Sequence, residues 1–197
     1  MEARRRGGPV REIAFLAVMA VVLAVLLRTF VAQAFSIPSE SMLPQLERGD
    51  RVVVSRLAYG LHDPNRGDIV VFDAPGTVED HPALLTRWGQ VVLESVGLRQ
   101  ASTEEFIKRV IGLPGETIEG RDGFLIVDGR YVIEPYLEPG TLTEPFPPTV
   151  VPDGQLFVMG DNRGNSMDSR VFGPIEIDSV VGRAVVRIWP PGRQAFL

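Results

Sequence analysis

Phe124-Leu125-Ile126-Val127-Asp128-Gly129-Arg130-Tyr131-Val132-Ile133 is the stretch that decides the fold class. A run of β-branched and aromatic residues meets Asp-Gly, and a second such run leads away. Asp-Gly accepts the positive φ angles of a type I′ turn, whose twist suits antiparallel strands, so the stretch predicts a hairpin. Working outward, similar short runs recur at Val52-Val53-Val54, Ile69 to Phe72, Phe106 to Ile111, Gln155 to Met159 and Ile175 to Trp189. With 20 Gly and 16 Pro in 197 residues, turns are frequent and strands short, which argues against a helical bundle. The expected fold is mostly β, in one domain. Arg48-Gly49-Asp50-Arg51 and Arg66-Gly67-Asp68-Ile69 are two copies of a turn that opens a strand. Leu84, Trp88, Val91 and Val92 share one face of a short helix expected within an otherwise irregular 73–105. The proline-dense stretch from Pro135 to Pro152 reads as a loop.

The N-terminus is different in kind. Ile13 to Leu27 is unbroken apolar sequence with Arg4, Arg5, Arg6 and Arg11 ahead of it. Continued through Arg28 to Phe35 it is long enough to span a bilayer, with Arg28 snorkelling to the far interface. Arginines upstream place the N-terminus on the cytoplasmic side and the domain outside. Ala32-Gln33-Ala34 also fits a cleavable signal peptide, the competing reading. In both, the domain is exported. The expected division is a basic tail and transmembrane anchor over 1–35, then an extracytoplasmic domain over 36–197, with membrane lipid as one partner.

The net charge of −5 includes this basic segment, so the remainder is more acidic still. An acidic body argues against nucleic acid as a partner, because phosphate binding needs a basic face. Without Cys there is neither a thiolate nucleophile nor a Cys-based zinc site, and His62 and His81 have no metal-ligand spacing. No metal and no cofactor are expected.

Among 20 Lys plus Arg, Lys108 is the single lysine. Arginine-rich composition explains the arginines but not one lysine placed inside a strand. Arg cannot lose its proton in a protein, whereas a desolvated Lys can, so Lys108 is the one side-chain amine available as a base. In Phe106-Ile107-Lys108-Arg109-Val110-Ile111, alternation puts Lys108 on one face and Arg109 on the other. One cation is therefore expected among apolar side chains. A neutral lysine needs a nucleophile, and Ser39 and Ser41 stand in a short segment between Pro38 and Pro44. There is no G-x-S-x-G elbow, no S-x-x-K and no evident His triad. The segment from Gly160 to Arg170, dense in Asp, Asn, Ser and Arg, lacks the order of an EF-hand and reads as a polar loop that satisfies itself.

Four blocks in order after a membrane segment resemble the bacterial type I signal peptidases: Ile37 to Pro44, Gly67 to Phe72, Ile107 to Glu116 and Gly160 to Arg170. The resemblance covers the anchor and nearly the whole domain. It implies a coiled antiparallel β-sheet and a Ser/Lys endopeptidase that removes signal peptides from exported proteins after small-x-small sites at the outer face of the plasma membrane. Residue by residue, it implies Ser41 as nucleophile and Lys108 as general base. Ser39 would complete the oxyanion hole with the Ser41 N–H, and Ser166 would orient the lysine. Asp161, Arg163, Asp168 and Arg170 would support the site. Phe35, Ile37, Pro38 and Ile107 would line shallow pockets for small substrate residues. Gly164 stands where an acid is common and Gln45 where Thr is frequent. One rival is a soluble self-cleaving Ser/Lys repressor-type protease, disfavoured by the membrane segment. The other is an anchored β-domain that binds peptides without catalysis, disfavoured by the single lysine and the two-serine loop.

Overall fold

The computed structural model describes residues 9–30, 32–56, 58–75 and 105–197. The helix expected around Leu84 to Val92 lies outside the described residues. Helix α1 (Pro9–Phe30) is followed by strand β1 (Ala32–Ser36). Sheet pairing therefore begins ahead of the expected boundary at residue 36. Among the described residues no helix is long and apolar enough to cross a membrane, and the α1 side chains beyond residue 21 fall outside them.

Two antiparallel sheets carry the rest. The larger joins β1 to β2 (Arg51–Ser55), β3 (Ile69–Asp73), β4 (Glu105–Gly112), β9 (Gln155–Met159), β10 (Ile175–Glu176), β11 (Val180–Trp189) and β12 (Ala195–Phe196). Its order is β1-β2-β11-β3-β4-β9-β10, with β12 also on β11. The smaller sheet has β5 (Thr117–Arg121), β6 (Phe124–Val127), β7 (Arg130–Tyr131) and β8 (Phe146–Val150), ordered β7-β6-β5-β8. Short helices α2 (Ala58–Leu61) and α3 (Ser169–Phe172) complete the elements used below.

The hairpin forms as its sequence dictates. Asp128 and Gly129 both have positive φ, at 49° and 74°, and β6 pairs with β7 across them. The two R-G-D copies also fold alike. Gly49 and Gly67 sit at φ of 92° and 93°, where a side chain would be strained. The following aspartates, Asp50 and Asp68, accept the backbone N–H three residues upstream, from Glu47 and Asn65. The twin turns launch β2 and β3, which flank β11 on its two sides.

One expectation is corrected. Phe146–Val150, read as loop because of Pro147 and Pro148, is strand β8. It lies at a sheet edge, the one place where a residue with no N–H costs no ladder bond. Three apolar clusters hold the fold. The first gathers Ile37, Met42, Leu46, Val52, Val54, Ile69, Val71 and Ile107 beneath β1 and β4. Each such buried side chain contributes roughly 1.5–3 kcal/mol. This cluster pins both walls of the site.

Candidate active site

Ser41 lies on the turn after β1. Ile37 ties that turn to the sheet from both sides: its N–H donates to Asp50 O (2.9 Å) and its carbonyl accepts from Gly49 N (2.8 Å). Next to Ser41, Met42 is fully buried, and Leu46 N donates to Met42 O at 2.8 Å. An apolar anchor one residue from the hydroxyl fixes where Ser41 Oγ stands.

Strand β4 brings the lysine. Lys108 Nζ donates to Ser41 Oγ at 2.8 Å and to its neighbour's carbonyl, Ile107 O, at 2.9 Å. Its side chain is enclosed, with 4% of the residue exposed, and it approaches the Phe106 ring at 5.5 Å. Among the described residues no carboxylate is bonded to the amine. Burial lowers the Lys108 pKa to about 8, against the more distant pull of Asp168 and Asp161, which favour the charged form. Ser39 Oγ lies 3.3 Å from Ser41 Oγ.

The loop after β9 closes over this pair. Asn162 N donates to Ser41 O (3.0 Å), and Asn162 Nδ2 reaches Glu40 O (3.1 Å). Gly160 is pressed so close that an added Cβ would lie 2.3 Å from Ser166 Oγ and 2.4 Å from Ser41 O. Only glycine fits there, and no local pattern in the sequence marked it out from the other glycines. The loop's own charges hold it closed. Asp168 accepts from Gly160 N (3.0 Å), from Arg170 Nε (2.8 Å) and from Arg170 Nη2 (2.8 Å). Although burial opposes ionisation, the Arg170 bonds and the Gly160 N–H keep the Asp168 carboxyl below its usual range. Arg170 Nη1 also donates to Arg163 O at 2.8 Å. Ser166 Oγ is buried without a hydrogen bond of good geometry, while near enough to Asp168 to help hold that carboxyl down.

Arg109, the other cation of the strand, is buried as well. Alternation required one buried cation, and β4 encloses both, because its second face is covered by the loop carboxylate. Arg109 Nε and Nη2 fork onto Asp161 at 2.8 and 2.6 Å, Nη1 donates to Gly67 O at 2.8 Å, and the guanidinium stacks on Tyr136 at 3.9 Å. Arg163, fully enclosed, donates to Gly160 O, Thr143 Oγ1 and both oxygens of Glu134. Glu134, Tyr136 and Thr143 escaped the sequence reading, as did the partners of Arg109. Their partners lie tens of residues away along the chain, so only tertiary structure reveals them.

A groove of about 860 Å³ opens in front of the Ser41–Lys108 pair. Phe35, Ile37 and Pro38 line one wall and Ile107 the other, with Asn165 and Met167 at the loop end. Both walls are strands with a free edge among the described residues. β1 ends the sheet path, and residues 106–108 of β4 have β3 as their strand partner on one side and none on the other.

Comparison with known proteins gives a consistent result. The family model "Signal peptidase, peptidase S26" matches residues 10–189. A probable signal peptidase I-1 of Synechocystis is 45% identical, over 90% of this chain and 82% of its own. Signal peptidase I of Mycobacterium tuberculosis is 38% identical, over 93% and 74%. A solved signal peptidase I from Enterococcus faecalis is 31% identical, covers 63% of this chain and 98% of its own, and gives a TM-score of 0.46.

Proposed function

As a member of the signal peptidase family, peptidase S26, the chain is a serine endopeptidase, and we propose that it cleaves signal peptides from exported precursors with Ser41 as nucleophile and Lys108 as general base. The observation that carries this is the 2.8 Å contact between a buried amine and a hydroxyl, at the floor of a groove between two open strand edges.

The precursor enters the groove as an extended segment and adds main-chain hydrogen bonds to the free edges of β1 and β4. Phe35, Ile37, Pro38 and Ile107 leave shallow apolar space, which suits small side chains before the scissile bond. Neutral Lys108 takes the proton of Ser41 Oγ as the oxygen attacks the scissile carbonyl carbon. The oxyanion receives hydrogen bonds from the Ser41 N–H and Ser39 Oγ, donors each worth about 10²–10³ in rate. Protonated Lys108 then gives its proton to the leaving amine of the mature protein. Water, deprotonated by Lys108, attacks the acyl-enzyme and restores Ser41. Ser166, whose buried hydroxyl stands beside Gly160 and near Asp168, would turn to the amine and orient it through this cycle. Asp161, Arg163, Asp168 and Arg170 keep the loop that positions it.

The same reading places α1 across the plasma membrane, N-terminus cytoplasmic and the β-domain outside. What supports it is the sequence: the apolar run from Ile13 to Leu27 follows Arg4, Arg5, Arg6 and Arg11 and, continued to Phe35, has the length a span needs. The test is cleavage of a small-x-small precursor in detergent by wild-type protein and by Ser41→Ala. Release of the mature protein by wild type alone is expected. A peptide-binding domain without catalysis would bind the precursor and leave it intact in both cases, and that result would end the proposal.

A further inference from the structure

We propose that Glu134, which belongs to the β7–β8 connection of the smaller sheet, is a positioning residue for this reaction, holding the Gly160–Asp161 turn against Ser41 and Lys108 through Arg163. The inference rests on the Ser41–Lys108 reading and extends it to a region outside the four blocks that carry the resemblance.

Arg163 has no exposed surface, so its charge depends on what surrounds it. Glu134 meets it with both oxygens, Oε2 to Nη1 at 2.9 Å and Oε1 to Nη2 at 2.5 Å, and is the only carboxylate bonded to it among the described residues. The opposite side of the same guanidinium donates from Nε to Gly160 O at 3.1 Å. Gly160 is the residue with no room for a Cβ between Ser166 and the Ser41 carbonyl. Any slackness in Arg163 is thus delivered directly to the turn behind the nucleophile.

A second line runs in parallel. Tyr136 OH donates to Glu134 Oε1 at 2.5 Å, and the Tyr136 ring carries the Arg109 guanidinium, which forks onto Asp161. Glu134 and Tyr136, two residues apart, therefore stand behind both arginines that grip the turn. Among the described residues, the charged groups around Lys108 are Asp161 and Asp168 from the loop, with Glu40, Arg48 and Glu105 along the groove. Arg109, Arg163 and Arg170 stand behind the aspartates, and Glu134 offsets one of those arginines. Removing its charge makes the surroundings of Lys108 more positive and favours the neutral amine.

The experiment is single-turnover precursor cleavage across pH for wild type, Glu134→Gln and Tyr136→Phe. Leu125→Ala, in the core of the smaller sheet, serves as a control for stability alone. Glu134→Gln is expected to lower the plateau rate roughly 10- to 100-fold, since an error of about 1 Å costs that much, with KM little changed. Its pH midpoint should fall by about half a unit. Tyr136→Phe should move both quantities the same way and less. The inference fails if folded Glu134→Gln keeps the wild-type midpoint, or if Leu125→Ala shifts plateau and midpoint equally. Should Glu134→Gln not fold, Tyr136→Phe decides: an unmoved midpoint overturns the inference. Wild-type protein that cleaves nothing would sink the Ser41–Lys108 reading itself, a separate outcome visible in the same assay.

Discussion

The two faces of β4 bury two cations in opposite ways. Lys108 and Arg109 are adjacent, and 4% and 6% of their surfaces are exposed. Arg109 is surrounded by a carboxylate fork, a carbonyl and an aromatic ring, all arranged for a permanent charge. Among the described residues Lys108 has a hydroxyl, a carbonyl and a phenyl ring, and Asp168 and Asp161 act on it only from a distance. Burial alone therefore does not make a base. Enclosure with a partner locks the proton on, and enclosure without one loosens it. One strand uses the first arrangement to brace the loop and the second to hold the amine proposed as the base.

The sharpest way to break this contrast is Lys108→Arg. It keeps a cation but removes the ability to lose a proton, so cleavage should fall by about 10⁴ or more in a precursor assay, with the β-sheet circular dichroism retained. Lys108→Met should be equally inactive yet more stable below pH 8, because it removes a buried charge. The sign follows from linkage. The folded pKa is about 8 and the ordinary value 10.5, so between them the unfolded chain holds more protons than the folded one. Wild-type stability rises with pH across that window. Below it the full penalty, about 3 kcal/mol, applies, and urea unfolding of the two proteins at several pH values would measure it.

Asp161→Asn attacks the other face. Arg109 is left enclosed without a carboxylate, at a cost of about 3–5 kcal/mol, seen as a melting temperature lower by about 10 °C. Because Asp161 also favours charged Lys108, the same variant should act at lower pH than wild type. In the wild-type protein, single-turnover cleavage should rise through a midpoint near pH 8 and then level off. A rate still climbing at about pH 10, where an ordinary lysine titrates, would show that Lys108 is not perturbed. The mildest change is Arg109→Lys. The new amine keeps its proton beside Asp161 but loses the fork and the stack, for about 1–2 kcal/mol of stability. Its pH midpoint should stay near the wild-type value; a large shift would mean that the two faces are not independent.

Much of this was legible before any coordinates. Asp128-Gly129 fixes its turn by backbone preference alone, and the alternation through Phe106 to Ile111 separates Lys108 from Arg109 by geometry alone. Composition singled out Lys108, and the proline-bounded serines supplied its partner. Interactions between distant segments were not legible. Tyr136 under Arg109, Glu134 on Arg163 and the close approach at Gly160 join residues whose local surroundings are unremarkable. Strand β8 was hidden for a different reason: its prolines forbid a central strand, and nothing local says that the segment ends up at an edge.

That Lys108 is the single lysine, set in the floor of the groove, makes the protein its own reporter. An amine-selective acylating reagent has one ε-amine to find, besides the chain terminus. Intact mass would then count modification at one residue without digestion. Its depressed proton affinity makes that amine a nucleophile near neutral pH, while enclosure limits the reagent to what enters the groove. A bound peptide would shield it, so the mass shift would read occupancy directly.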